Sequence, residues 1–129
     1  MSSRLIEVEL RVADLERALR FYRDLIGLPF GDIETHEGDD TQHAHATWGD
    51  WDARGEFLMV NLYPAGDGPP TKASIGFVVD DLDAVHARLV SADAIVTRAP
   101  ERRPWGASAT YRDPDGNTVS LTEGPREKS

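Results

Sequence analysis

Alternating apolar and polar residues at the start of the chain predict a β-strand that leads into a helix. Positions 5–12 alternate with a period of two, so every second side chain points to the same face of a strand. Asp14 then fits a helix N-cap, apolar residues recur at helical spacing, and Gly27 fits the C-terminal stop. The strand face that packs under this helix carries Ile6, Val8, Leu10 and Val12.

The same pattern returns in the second half of the chain. Val8 recurs as Ile75 and Asp14 as Asp81, 67 positions later in each case. Both copies consist of an alternating apolar run, an acidic cap and a helical pattern. A chain built from two related modules usually places its binding site where the modules meet, because a cleft forms there.

The remaining periodicity predicts a strand–helix–strand–strand–strand order in each half. In the first half the later strands are expected near residues 33–35, 41–48 and 56–63; in the second half, strands at 74–79, 94–98, 107–112 and 118–122 accompany a helix at 82–92. The sequence Asp113-Pro114-Asp115-Gly116-Asn117 predicts a hairpin turn. We expect one domain over residues 1–129, with module one at about 4–64, a linker at 65–72, module two at about 73–123 and a tail at 124–129.

Strand parity separates a helix-facing side from a mixed polar and aromatic side. The helix-facing positions of the later strands are Leu58, Val60, Leu62, Ile75, Phe77, Val79, Val119 and Leu121. The opposite face carries Glu7, Glu9, Phe57, Met59, Asn61, Tyr63, Ser74, Gly76, Val78, Thr118 and Ser120. Because this second face mixes polar groups with aromatic ones, we expect it to line a cavity rather than a core.

The composition narrows the classes of partner. A net charge of −9 argues against nucleic acid, and the lack of a long apolar run argues against a membrane. The absence of cysteine excludes disulfides and thiolate metal sites, and it fits a cytoplasmic protein. The start of the chain runs directly into a strand pattern and offers no signal peptide.

Two motifs on this doubled pattern resemble the vicinal oxygen chelate superfamily, which includes glyoxalase I, extradiol dioxygenases and bleomycin-resistance proteins. The first motif runs from Val12 to Tyr22 (VADLERALRFY) and continues in residues 25–28 (LIGL); the second runs from Arg112 to Asn117 (RDPDGN). The resemblance implies an α+β fold in which two βαβββ modules form a curved mixed sheet around a cavity, with the helices on the outer face. It also implies a homodimer.

The family's metal enzymes hold a divalent ion with His, Gln or Glu from four strands, and the resemblance places these positions at Glu7, Asn61, Ser74 and Ser120. One carboxylate among four positions should not hold a transition metal tightly, because neutral hydroxyls are poor ligands for a catalytic divalent ion. We therefore expect no metal and no cofactor. The chain then resembles the metal-free, drug-binding branch of the family most closely.

The leading hypothesis is a protein that binds and sequesters a small aromatic or cationic natural product or antibiotic, and so confers resistance. Arg103-Pro104-Trp105-Gly106 resembles a Pro-Trp-Gly segment of the drug-binding branch, in which a tryptophan would stack on a flat ligand. Glu7 and Glu9 project on one strand face and would supply a negative field. The expected ligand-binding set is Glu7, Glu9, Trp48, Phe57, Met59, Asn61, Tyr63, Ser74, Trp105 and Ser120.

Two other functions stay open at this point. His43 and His45 share a strand face and would form a relocated metal site with Glu7 if they pointed at the cavity, which favours an enzyme of the glyoxalase or dioxygenase kind. Metal-free proton transfer with Glu7 as the base is a second route to an enzyme. A regulatory module that recognises a metabolite is the third possibility. The sequence carries no other catalytic motif, and His86 is interpreted as structural.

Overall fold

Each half of the chain forms its own four-stranded mixed sheet. The computed structural model describes residues 4–36, 38–49, 57–104 and 106–124. Module one contains β1 (Glu7–Val12), α1 (Leu15–Leu19), a π-helical segment (Arg20–Ile26), β2 (Glu34–His36), β3 (Asp39–Gly49) and β4 (Phe57–Pro64). Its strand order is β1-β4-β3-β2, with β1 and β4 parallel and the other pairs antiparallel.

The second module repeats this topology. It contains β5 (Ser74–Val78), α2 (Leu82–Ser91), β6 (Ile95–Arg103), β7 (Gly106–Arg112) and β8 (Thr118–Glu123). The strand order is β5-β8-β7-β6, again with one parallel pair, β5 and β8. The predicted pair of βαβββ modules is therefore confirmed, although the eight strands form two separate sheets and neither sheet closes on itself.

Acidic caps begin both helices, as the repeat predicts. Asp14 accepts a hydrogen bond from the backbone N–H of Arg17 at 3.0 Å, and Asp81 accepts one from Ala84 at 3.1 Å. Gly27 ends the first helix with a φ of 93°, a left-handed conformation that favours glycine.

The first helix differs from the prediction in its second half. From Arg20 onward it is π-helical, and the N–H of Gly27 donates to the carbonyl of Tyr22, five residues earlier. The apolar pattern located the whole helix but not this change of winding, because the π-helical segment is too short for its periodicity to differ clearly from an α-helical one.

One hydrophobic core serves both modules. α1 packs against β3 and β4, whereas α2 packs against β6, β8 and the π-helical segment. The rings of Tyr22 and Phe77 lie 6.1 Å apart, and those of Trp48 and Phe77 6.3 Å apart, so side chains of module one contact β5 of module two. Most of the predicted helix-facing residues of the strands are buried or pack on this core, and they share it with Ala44, Ala46, Ala107, Ala109 and Tyr111. The prediction is wrong for Ile6, which precedes β1 and is 39% exposed, and Leu58 is only half-buried.

β6 is longer than the pattern predicts. It extends to Arg103, which pairs with Gly106 at the start of β7, although apolar alternation stops near residue 98. β6 lies at the edge of its sheet and is mostly exposed, and its pairing with β7 contains two register shifts. An exposed edge strand with bulges needs no apolar alternation and tolerates Pro100, so hydrophobic patterning could not reveal its full length.

The predicted turn between β7 and β8 connects the two modules. Asp113 Oδ1 accepts the backbone N–H groups of Asp115 and Asn117 at 2.9 and 2.8 Å. Asn117 Oδ1 accepts from the backbone N–H of Ala73 at 2.7 Å, just before β5. Asp115 Oδ1 accepts from the backbone N–H of Ala13 at 3.2 Å, at the end of β1. The turn therefore holds the ends of β1 and β5 in place. Within the described residues, no helix is long and apolar enough to cross a membrane.

Candidate functional site

The first candidate surface is the side of sheet one that faces away from the core. Strand register aligns its side chains in rows, because Glu7 lies beside Met59 and Glu9 lies beside Asn61. Asn61 is only 5% exposed although it lies on this polar side, so its amide is held in a largely dry position. We call this surface the polar face of sheet one; its members are Glu7, Glu9, Arg11, Glu34, His43, His45, Thr47, Phe57, Met59, Asn61 and Tyr63.

Arg11 partly neutralises the acidic edge of this face. Its Nε lies 2.9 Å from Glu9 Oε2, and its guanidinium carbon lies 5.7 Å from the centre of the Tyr63 ring. Both partners of the ion pair are well exposed, so it contributes little to stability. Glu7 lies two positions before Glu9 on β1, and its neighbour on β4 is Met59 rather than Tyr63. The negative field predicted from Glu7 and Glu9 therefore depends mainly on Glu7.

Trp48 lies apart from most of the predicted ligand-binding set. It pairs with Leu58 on the core side of sheet one, and its ring packs near Phe77. At the end of the sheet, however, Trp48 and Phe57 both line a cavity of about 600 Å³ whose other lining residues are Arg4, Leu5, Gly49 and Leu58. This apolar cavity is large enough for a drug-sized ring system.

The second candidate surface lies on sheet two. Ser74 pairs with Thr118 and Gly76 pairs with Ser120, so these residues share the face that points away from the core. A side-chain carbon placed on Gly76 would lie 3.4 Å from Ser120 Oγ, so glycine leaves room above this hydroxyl. Ser74 is exposed and Ser120 is half-buried. The face therefore offers hydroxyl groups to a ligand.

The four positions at which the resemblance places metal ligands do not fit a transition-metal ion. Glu7 and Asn61 belong to sheet one, whereas Ser74 and Ser120 belong to sheet two. Their donor set contains no imidazole and only one carboxylate, beside one amide and two neutral hydroxyls, whereas such ions prefer several imidazole and carboxylate ligands. No chemical step at these positions can be assigned to a metal.

A different group of ligand-type side chains comes together on β2 and β3. Glu34 Oε1 lies 3.8 Å from His43 Nε2 and 3.7 Å from His45 Nδ1. Glu7, which the sequence analysis combines with these histidines, lies instead in the row of Met59 and Thr47. Sequence reasoning missed Glu34 because its partner depends on the β2–β3 register, which contains a shift that periodicity does not encode.

The sequence also predicts roles for Trp105 and His86. Trp105 lies outside the described residues, so its predicted stacking role stays a prediction. His86 Nδ1 lies 2.8 Å from Tyr111 Oη at the surface of α2, which agrees with its structural interpretation. Burial raises the pKa of the Tyr111 phenol to about 12, so at neutral pH this group is an uncharged hydroxyl beside the imidazole.

Comparisons with known proteins agree with this architecture. The family model of the Glyoxalase/Bleomycin resistance protein/Dioxygenase superfamily matches residues 4–121. A probable lactoylglutathione lyase from Vibrio cholerae is 27% identical over 126 residues, covering 93% of this chain and 90% of the relative.

Solved structures extend the likeness. TnmS3, an antibiotic binding protein from Streptomyces sp. CB03234, is 25% identical with a TM-score of 0.67, and the match covers 96% of this chain and 98% of TnmS3. A glyoxalase/bleomycin resistance protein from the same Streptomyces strain is 26% identical with a TM-score of 0.65, covering 92% and 99% of the two chains.

Proposed function

Because the chain belongs to the Glyoxalase/Bleomycin resistance protein/Dioxygenase superfamily, we propose that it binds and sequesters a small aromatic or cationic natural product, without an ion at the family's four ligand positions. The observation that carries the proposal is the donor set of Glu7, Asn61, Ser74 and Ser120, which offers hydrogen bonds but no strong metal chelation. The likeness to TnmS3 supports an antibiotic as the ligand.

The polar face of sheet one has the chemistry that this ligand class needs. Met59 and Tyr63 are half-buried and offer an adaptable thioether and a flat ring, while the nearly buried amide of Asn61 lies between them on β4. Apolar contact surface with a few placed polar groups is typical of small-molecule sites. Glu7 and the overall charge of −9 favour a cationic ligand over an anionic one.

A second copy of the chain would complete a site of this kind. The polar face of sheet one and the hydroxyl face of sheet two both point away from the shared core, and the two sheets are not hydrogen-bonded to each other. Leu5, Ile6 and Val78 are exposed next to these faces, and an apolar surface of this kind favours burial by a partner. We therefore propose a homodimer in which a face of one chain lies opposite a face of its partner.

The decisive experiment is a thermal-shift screen against natural-product antibiotics in the presence of EDTA, followed by calorimetric titration of each hit. A ligand that prefers the folded state must raise the melting temperature, and the titration should give a fixed stoichiometry per chain. Bleomycin serves as the cationic probe. No shift with any aromatic or cationic compound, or binding that EDTA abolishes, would overturn the proposal.

Two variants locate the site. Asn61→Ala and Met59→Ala should each weaken the binding of a hit about tenfold, because each removes a contact at the centre of the face. Asp24→Asn, at an exposed position of the π-helical segment beside Arg23, is the control and should leave the affinity unchanged. Lactoylglutathione lyase activity is expected to stay at background in the same preparation, and turnover above it would favour the enzyme alternative.

A further inference from the structure

We propose that Glu34, His43 and His45 bind one divalent transition-metal ion, of the class to which Zn²⁺ and Co²⁺ belong. The site lies on β2 and β3, whereas the family's ligand positions lie on β1, β4, β5 and β8. It lies on the polar face of sheet one, at the β2–β3 side, and the binding of a natural product proposed for this face requires no ion.

The three side chains already lie close to a coordinating geometry. One ligand atom from each residue lies within 4.8 Å of the other two, and the two pairs that involve Glu34 Oε1 are 3.7 and 3.8 Å apart. Ligands at about 2.0–2.1 Å from a tetrahedral zinc ion are roughly 3.3–3.4 Å from each other. Small rotations of the side chains would therefore complete the site without moving a strand.

The backbone explains why these residues converge. Glu34 pairs directly with His43 across the antiparallel β2–β3 ladder, so their side chains lie next to each other on the same face. His45 follows two positions later on β3 and projects to that same face. The two imidazole rings lie 5.8 Å apart at an interplanar angle of 26°, so they are stacked neighbours on this face.

The surroundings of His43 orient it as a ligand. Its Nδ1 lies 3.4 Å from the carbonyl oxygen of Thr41, to which it donates in the Nδ1–H tautomer. In that tautomer Nε2, which lies 3.8 Å from Glu34 Oε1, would be the atom that binds the ion. Tyr63 stacks on the ring at 5.2 Å and 16°, and His43 is only 3% exposed. Fixing the second nitrogen in this way is how proteins hold metal-binding histidines.

The other two side chains leave the ion accessible. The His45 side chain is 35% exposed and that of Glu34 is 48% exposed, so an ion enters from solvent and retains open positions for water or another small ligand. A donor set of two histidines and one carboxylate binds first-row divalent transition metals in preference to Mg²⁺ and Ca²⁺. The negative charge of the chain further favours a cation.

The test is a titration of the full, tag-free chain with Co²⁺ followed by its visible absorption, and a calorimetric titration with Zn²⁺. We expect one ion per chain and an absorption typical of low-coordinate Co²⁺. His45→Gln and Glu34→Gln should each reduce the affinity at least tenfold, because each removes one of three ligands. His86→Gln, which removes a histidine from α2, is the matched control and should bind as the unmodified chain does.

The primary variants avoid His43, because replacing a buried ring could unfold the chain. Circular dichroism melts establish that each variant is folded before it is titrated. The proposal would be overturned if His45→Gln and Glu34→Gln bound the ion as tightly as the His86→Gln control does. It would also be overturned if the unmodified chain showed no saturable binding, because Glu34 would then form only an ion pair with the histidines. Because this titration contains no drug and the drug titration contains EDTA, failure of one proposal is distinguishable from failure of the other.

Discussion

Tyr22 donates a 2.5 Å hydrogen bond from its hydroxyl to Asp113 Oδ2 and thereby joins the two modules. Tyr22 lies in the π-helical segment of module one, whereas Asp113 begins the turn between β7 and β8 of module two. Both residues are buried. Burial first, and the Asp113 carboxylate second, raise the pKa of the Tyr22 phenol far above its usual range, so the group stays a donor at every physiological pH.

Tyr22→Phe should therefore destabilise the chain by about 1–3 kcal/mol, the range for leaving a buried acceptor without a partner. The loss should fall towards the lower end, because Asp113 Oδ2 still accepts from Asn117 Nδ2 at 2.9 Å. Urea unfolding followed by circular dichroism measures the change. Tyr63→Phe, which removes a hydroxyl from the polar face of sheet one, is the control and should change the free energy of unfolding by less than half as much.

The Tyr22–Asp113 pair also illustrates how far the sequence predicts this protein. The sequence predicts that Asp113 belongs to a hairpin turn and that the segment containing Tyr22 is helical, and both placements are confirmed. Their contact spans 91 positions, and no periodic pattern encodes a pairing over that distance. The module repeat specified the order of the strands, because alternation and helix caps are local properties.

The candidate site was less predictable for the same reason. Parity correctly placed Glu7, Glu9 and Asn61 on one face, since it depends only on counting along a strand. Trp48 belongs to the expected ligand set because a flat ring beside the hairpin after β3 can stack on a ligand, whereas the alternation of β3 carries that ring to the core side beside Phe77. Glu34 was overlooked because its position opposite His43 depends on a β2–β3 ladder that contains a register shift.

Stability should fall as the pH rises above 10. Burial raises the pKa of Tyr111 from 10.0 to about 12 in the folded chain, so between these values the unfolded chain loses a proton that the folded chain keeps. The unfolded state then binds fewer protons, and the free energy of unfolding decreases with pH. We expect a loss on the order of 2 kcal/mol from this group between pH 10 and 12. Tyr22 adds to the loss in the same direction.

Urea unfolding at several pH values between neutrality and 12 measures this dependence. Tyr111→Phe removes the ionisable hydroxyl and should make the decline above pH 10 shallower, although it also removes the contact with His86 and so lowers stability at neutral pH. A decline of the same slope in the variant and the unmodified chain would contradict the assignment to Tyr111.

Gly106→Ala should be strongly destabilising. Gly106 has a φ of 137°, in a region that other residues rarely adopt, and a side-chain carbon there would collide with the backbone carbonyl oxygen of Glu123 on β8. Strain alone would cost about 1–3 kcal/mol, and the collision with backbone adds to it. The melting temperature and the urea midpoint measure the effect. Gly31→Ala, where nothing lies near the added carbon, is the control and should change stability by about 0.5 kcal/mol or less.

Two neighbouring arginines on β6, Arg102 and Arg103, differ in the burial of their acidic partners. Arg102 reaches Glu123, whose carboxylate is only 3% exposed, at 3.0 Å and also contacts Asp83 at 2.9 Å. The other Glu123 oxygen accepts the backbone N–H of Leu82 at the start of α2, so the pair supports that helix. The hydrogen bonds that Arg102 donates to Glu123 and Asp83 raise the pKa of its guanidinium, which therefore stays charged.

Arg102→Ala should lower the free energy of unfolding more than Arg103→Ala does, because it removes the cation from a buried carboxylate. The loss should be smaller than for a fully buried pair, since the Arg102 side chain is half exposed. Arg103→Ala removes only an exposed pair with Glu101 and should cost about 0.5 kcal/mol or less. Urea unfolding of both variants gives the difference, and Arg102→Met, which keeps most of the apolar stem, separates the loss of charge from the loss of packing. If Arg103→Ala proves as damaging as Arg102→Ala, the burial of Glu123 is not what makes the Arg102 pair important.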